Sequence, residues 1–193
     1  AMMIKGAAVQ KWLIKEKMSQ GEIEYLDKAA YLKENTGNKS QHFKLERLVM
    51  QGITGVDEGK RLKMTIVSPN VFCGNSVNYI LVVGKGVSNR YILPLLNSKL
   101  LNWFFKVFST NSNVNGYEID NMPIPKIAIE EQKPFIKIVD KILAITGSGD
   151  YSENPAKQAK VKEYENQIDQ MVYKLYDLTP EEIKIVENQK NGA

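Results

Sequence analysis

The chain has one cysteine, Cys73, and one histidine, His42, in 193 residues. A lone cysteine cannot close an internal disulfide. One imidazole without a thiol cluster beside it cannot complete a zinc site, so neither a disulfide framework nor a structural metal is expected. A catalytic pair of these types would have to join His42 to Cys73, and nothing around them supports it; Cys73 reads as a buried structural thiol. No stretch approaches the ~18 consecutive apolar residues of a membrane span. Lys5, Lys11, Lys15 and Lys17 are scattered through the beginning of the chain rather than placed ahead of an apolar block. No membrane partner and no signal peptide are expected, and a reducing cytoplasm follows. Ala1-Met2-Met3 reads as an added start ahead of Ile4, on a piece cut from something longer.

Catalytic signatures are scarce as well. No glycine-rich cofactor motif follows a strand, and there is no Asn-Pro-Pro-aromatic run of the kind that holds a flipped base. Gly84-Lys85-Gly86 sets its glycines too close together for a phosphate loop, which needs four residues between them, and reads as a turn. No catalytic residue is expected in this chain.

What the sequence does have is an uneven charge. The formal net charge is only +4. Between Gln41 and Thr110, however, nine basic residues face three acidic ones, a net of +6, whereas Glu118 to Glu187 carries nine basic against fourteen acidic, a net of −5. A basic middle is the footprint of a phosphate-contacting surface, although solvated lysines produce the same count.

The densest signal lies between Tyr91 and Lys126. Leu93, Leu96, Leu100, Leu101, Phe104, Phe105 and Phe108 recur at spacings of three and four, which predicts one helix with a buried face. Trp103, Phe104, Phe105 and Phe108 form an aromatic stripe too apolar for solvent, and Trp12 and Trp103 read as core residues. Ser109 to Gly116 follows, with Val114 its only apolar residue, and then Met122-Pro123-Ile124-Pro125 forces an extended exit because a residue preceding proline avoids the helical region. The segment in between is either an ordinary surface loop or one held rigidly so that its amides meet another molecule.

Upstream, Val9 to Lys17 and Glu22 to Asp27 read as a hairpin about Met18-Ser19-Gln20-Gly21, and Ala29 to Asn35 as a short helix. Leu45 to Ile53, Leu62 to Val67 and Val77 to Val83 read as strands, with a glycine-bounded turn from Thr54 to Arg61. Downstream, Glu130 to Ile145 and Ala156 to Tyr176 make an antiparallel helical hairpin, and Thr179-Pro180-Glu181-Glu182 opens a last helix.

LLNSKLLNWFF (95–105) with its loop and the NMPIP exit resembles the end of the TaqI-like C-terminal specificity domain of fused restriction and adenine-methyltransferase enzymes. Gln51-Gly52-Ile53-Thr54-Gly55, Arg61-Leu62-Lys63-Met64-Thr65 and Asn75-Ser76-Val77-Asn78-Tyr79-Ile80 are similar to its middle strands, and Ile168 to Thr179 to its closing helix. The resemblance implies an α+β fold: a β-rich target-recognition body over 1–126 with an anchoring helix, then a helical hairpin and tail over 127–193 packed behind it. It also implies a non-catalytic domain that reads double-stranded DNA for a type IIG enzyme. The methyltransferase and nuclease domains of that parent chain would be its other partners. S-adenosylmethionine and Mg are expected only for those missing domains.

Such a domain needs positive groups for phosphates and rigidly held amides or guanidinium groups for base edges. The candidates are Lys44, Lys60, Arg61, Lys63, Arg90, Thr110, Asn111, Asn113 and Asn115. Arg90 also reads as a helix-flanking charge. The alternative is a protein-interaction module assembling through the C-terminal helices, with the basic middle incidental.

Overall fold

Short stretches of β-formers, interrupted by glycine and charged residues, give short strands. A computed structural model describes residues 1–18, 21–55, 59–82, 84 and 86–188. It places β1 at Met2–Ile4, β2 at Val9–Gln10, β3 at Leu13–Ile14, β4 at Lys17–Met18, β5 at Gly21–Glu22 and β6 at Glu24–Tyr25. The expected single hairpin is therefore broken up. β2 pairs with β3 around Lys11-Trp12, β4 pairs with β5, and β6 returns antiparallel to β1. Of the anticipated turns, Ser19-Gln20, residues 56–58 and Lys85 lie outside the described residues, as does Val83 of the third strand.

Helix α1 (Lys28–Glu34) starts on Asp27, whose carboxylate accepts from the amides of Ala29 and Ala30 at 2.8 and 3.1 Å. A 3-10 segment, Asn38–Lys44, leads into β7 (Arg47–Gln51), the centre of an antiparallel sheet with β8 (Met64–Val67) on one side and β10 (Val77–Ile80) on the other. β9 (Phe72–Cys73) joins β1 in parallel. Alternation along β7 divides the core in two: Leu48 and Met50 belong to a large cluster facing the helices, while Val49 packs with Ile4, Val9, Val67 and Val77 on the other face.

The one anchoring helix expected from the Leu/Phe spacing is two, α2 (Asn89–Leu96) and α3 (Lys99–Phe108). Ser98 is extended (φ −71°, ψ 159°), and its hydroxyl accepts from the Leu101 amide at 3.2 Å, the geometry of a fresh N-cap. The apolar spacing runs straight through this break, which is why periodicity alone misses it. α4 (Gly116–Asp120) follows the polar loop, and α5 (Ile129–Thr146) and α6 (Pro155–Leu175) form the hairpin. α7 (Pro180–Glu187) opens on a capping box in which Thr179 N donates to Glu182 Oε2 at 2.8 Å and Glu182 N to Thr179 Oγ1 at 3.3 Å. The architecture is α+β.

One apolar cluster runs from Trp12 through β7, β8, α2 and α3 into α5 and α6 and reaches Val186 of α7. At the joint, Trp12 sits at φ 72°, a left-handed conformation that is costly for a bulky side chain. Contacts on every side hold it. Its amide donates to Met64 O (3.0 Å), its indole N–H to Glu165 Oε1 (2.7 Å), and its carbonyl accepts from Thr146 Oγ1 (2.9 Å). Lys11 beside it pairs with the same Glu165. Burial pulls the Lys11 ammonium below its ordinary value. Burial pushes the Glu165 carboxyl up, but the Lys11 charge and the hydrogen bonds from Lys11 and Trp12 outweigh it and leave that carboxyl below its usual range.

Candidate functional site

The polar loop after α3 is built around one buried cation. Arg61 is only 1% exposed, its guanidinium lying 5.0 Å from the centre of the Phe105 ring. Nη1 donates to the carbonyl and hydroxyl oxygens of Ser109, both at 2.9 Å. Nη2 donates to the carbonyls of Asn111 and Asn113, and Nε to Thr54 Oγ1 at 3.3 Å. Carbonyls from every second residue thus point inward onto one planar fork, a task that suits a guanidinium and not an ammonium. Burial lowers the proton affinity of Arg61, and the buried Glu118 carboxylate partly offsets this.

The loop's other edge is tied to residues 52–54. Thr54 N donates to Ser112 O at 2.7 Å and Val114 N to Gly52 O at 2.9 Å, so Ile53 and Asn113 face each other as an antiparallel bridge. Asn78 Nδ2 donates to Val114 O, and Val114 itself is buried. Gly52 N donates to Ser76 O at 2.8 Å; a Cβ at Gly52 would stand 3.1 Å from that oxygen, so a larger residue there would press on Ser76. Two tyrosines pin the proline exit: Tyr91 Oη donates to Pro125 O (2.8 Å) and Tyr176 Oη to Pro123 O (2.6 Å). Burial raises the Tyr91 phenol to about 12.

The segment carrying Arg61 is held by two asparagines that lie outside the candidate set. Asn97 Oδ1 accepts from Met64 N (3.0 Å) while its Nδ2 donates to Met64 O (2.9 Å). Asn102 does the same for Leu62, at 2.8 and 3.3 Å. Both are buried, and each bonds both backbone groups of one residue as a neighbouring strand would. A polar residue inside an otherwise apolar helical run was the available signal, since it has to find a partner when buried.

The structure sorts the sequence candidates. Thr110, Asn111 and Asn113 are exposed on the loop, and no hydrogen bond engages the side chains of Thr110, Ser112 or Asn113 among the described residues. Asn111 is half committed, its Oδ1 accepting from Asn113 N at 2.9 Å. Asn115 caps α4, with its backbone and side-chain N–H groups both on Glu118 Oε2 (2.7 and 3.1 Å). Arg61 lies behind the loop, so the expectation that it presents its donors outward is corrected: they are occupied by loop carbonyls. Arg90 is shared between Glu46 and Asp140 at 3.2 and 2.9 Å, which matches its reading as a helix-flanking charge.

Lys44 and Lys60 are exposed, and the charge of Lys60 acts on Glu165 and Asp169. Lys63 is half-buried. The aromatic stripe is also corrected at one end, because Phe108 is partly exposed and Val107 beside it is more so. Exposed Ile53 and Tyr117 lie at the loop's margins, and neither was singled out from the sequence. Among the described residues no group of three or more His, Cys, Asp or Glu side chains is arranged to hold a metal ion, and no helix is long and apolar enough to cross a membrane.

The family model for the TaqI-like C-terminal specificity domain matches residues 1–124. Among solved structures the chain is similar to the type IIL restriction-modification enzyme MmeI in complex with DNA, with a TM-score of 0.60 at 12% sequence identity. The match covers 96% of this chain and 29% of that chain, and at such identity the likeness is one of fold. No curated protein matches in sequence.

Proposed function

The chain belongs to the TaqI-like C-terminal specificity domain family, and from that premise we propose that it reads a short sequence in double-stranded DNA on behalf of a restriction-modification enzyme. In the finer form of the proposal, that enzyme is a type IIG fusion of nuclease and adenine-N6 methyltransferase. S-adenosylmethionine and Mg would then be bound by its other domains. Residues 1–126 do the reading and 127–193 brace them from behind. This chain itself neither methylates nor cuts.

The observation that carries the reading is the division of labour in the loop. Its carbonyls turn inward onto Arg61, and the side chains of Thr110, Ser112 and Asn113 are left facing outward. A side chain that reads a base edge has to be exposed, unoccupied and fixed before contact, since any ordering left to the moment of binding subtracts from affinity. Thr110, Ser112 and Asn113 meet these conditions together. Lys44 and Lys60 supply charge for phosphates, which need no particular geometry.

The test is duplex binding as a function of salt. We expect weak association, with Kd in the range ~10⁻⁴ to 10⁻⁶ M on arbitrary sequence, that falls off steeply between low and moderate salt. Binding that is flat with salt would favour an interaction module assembling through the C-terminal helices. Lys60→Ala should weaken binding about equally for all sequences.

Asn113→Ala should act differently. Its carboxamide is uncommitted at both ends, so its loss is expected to relax one position of the selected sequence, with about 1 to 3 kcal/mol of discrimination removed, while non-specific binding stays. Selection from a random duplex library with the two variants side by side measures this. Asn115→Ala, by contrast, should cost on the order of 1 kcal/mol in stability through the lost side-chain bond to Glu118 and leave the selected sequence unchanged.

A further inference from the structure

We propose that Ile53 is a specificity-determining residue which acts with Asn113 on a single A·T pair, Asn113 on the adenine edge and Ile53 against the thymine methyl. This rests on the duplex-reading function proposed above.

The geometry that points to it is the bridge between the two residues. The bonds from Thr54 N to Ser112 O and from Val114 N to Gly52 O flank the pair and leave Ile53 opposite Asn113 without a direct hydrogen bond between them. In an antiparallel ladder this is the narrow pair, whose Cα atoms are about 4.5 Å apart and whose side chains stand side by side on one face. That face is outward: Ile53 is 62% exposed and Asn113 is exposed. An aliphatic side chain with most of its surface in water, held directly beside an uncommitted carboxamide, is a two-part chemical surface of one donor-acceptor group and one apolar group.

The major-groove edge of an A·T pair is the matching two-part surface. Adenine offers N7 as acceptor and N6–H₂ as donor, which one carboxamide satisfies with two hydrogen bonds, and thymine offers the C5-methyl group a few ångströms along the same edge. In a G·C pair cytosine carries only C5–H where thymine has its methyl, so Ile53 loses its apolar partner, and guanine meets the carboxamide with two acceptors where adenine offers an acceptor and a donor.

The backbone that carries both side chains does not depend on the DNA for its position. Gly52 on one side is fixed by Ser76 O and Val114 N, and Thr54 on the other by Ser112 O and the Arg61 guanidinium. Asn113 is held by the carbonyl that it gives to Arg61 and by the amide that it gives to Asn111 Oδ1. The other two loop asparagines do not offer the same combination, since Asn111 has its Oδ1 taken and Asn115 is bonded to Glu118.

The experiment uses the 193-residue chain and the duplex it selects from a random library. Each thymine of that duplex is replaced singly by deoxyuridine, which removes only the C5-methyl, and binding is followed by fluorescence anisotropy. One replacement is expected to weaken the wild-type chain about fourfold, the effect of one buried methyl group. The same replacement should leave Ile53→Ala unaffected, and it should fall in the base pair at which Asn113→Ala relaxes. Ile53→Ser keeps a small residue in the bridge with no methyl group to meet the thymine and should lose the methyl effect, so a folding defect in Ile53→Ala does not decide the matter.

If wild type and both Ile53 variants respond equally to every deoxyuridine, or if the Ile53 and Asn113 effects fall on different base pairs, the inference is overturned while the reading function stands. If the wild-type chain selects no sequence at all, the reading function itself fails and takes the inference with it.

Discussion

Arg61→Ala is expected to lower the unfolding free energy by roughly 3 to 5 kcal/mol. The side chain is buried, and its donors are distributed over the oxygens of Thr54, Ser109, Asn111 and Asn113. Truncation leaves the buried Ser109 carbonyl facing a cavity and takes a positive charge away from the buried Glu118 carboxylate. Water can reach the carbonyls of Asn111 and Asn113 once the loop opens, and this keeps the loss below the sum of the separate bonds. In urea the unfolding midpoint should fall with an unchanged slope if the body stays two-state. Arg61→Lys should recover only a minor part, because one ammonium cannot span carbonyls that the fork reaches at both ends. A midpoint that hardly moves would show that the Ile53 bridge alone holds the loop. DNA selection should be lost in Arg61→Ala even though Arg61 touches no base, since the amides it holds in place would no longer be fixed.

Ile168→Ala should cost roughly 2 to 5 kcal/mol, because this side chain on α6 is 1% exposed within the large core cluster. For a chain of this length that corresponds to a fall of roughly 4 to 20 °C in Tm. Leu175 occupies a like position in the helical pattern but is only half-buried, so Leu175→Ala should cost clearly less, about 1 to 2 kcal/mol. Thermal unfolding of the pair separates a packed tail from a loosely attached one. If neither variant shifts the transition, the hairpin contributes nothing to the core it touches.

The parts of the fold that were legible in the sequence are those whose determinants are local. α5, α6 and α7 fall within a residue or two of their expected ends, because each has a long apolar period and α6 and α7 start on Asn154-Pro155 and Thr179-Pro180. β7, β8 and β10 were found but read too long, since apolar residues continue past the last ladder bond. The break at Asn97-Ser98 was hidden by leucines on both sides, although an Asn-Ser pair is itself a cap signal.

The site was harder to read, and for a physical reason. An arginine next to a lysine in a turn looks like surface charge, and what buries it is mostly contact with residues 44 to 52 positions away. Asn115 is the opposite case: Asn115 with Glu118 three residues on is a capping box in plain sequence, and it stands among the expected readers only because it shares their loop. Ile53 gave no local signal, because its exposure depends on the loop that pairs with it.

The grip of Arg61 on the loop has a consequence for how a new target could arise. Apart from the hydroxyl of Ser109, the loop gives Arg61 only main-chain carbonyls, and every residue type has one. Exchanging the side chains at Thr110, Ser112 and Asn113 therefore changes what the loop displays without touching what holds it. On the reading function proposed above, inheritance can treat such positions as a cassette: substitutions there cost little stability and are screened for the target they choose, while a change at Arg61, Asn97 or Asn102 is removed for misfolding before its effect on any target is tried. Divergence of specificity should then be fast and confined to three or four neighbouring codons, in a domain whose frame changes slowly.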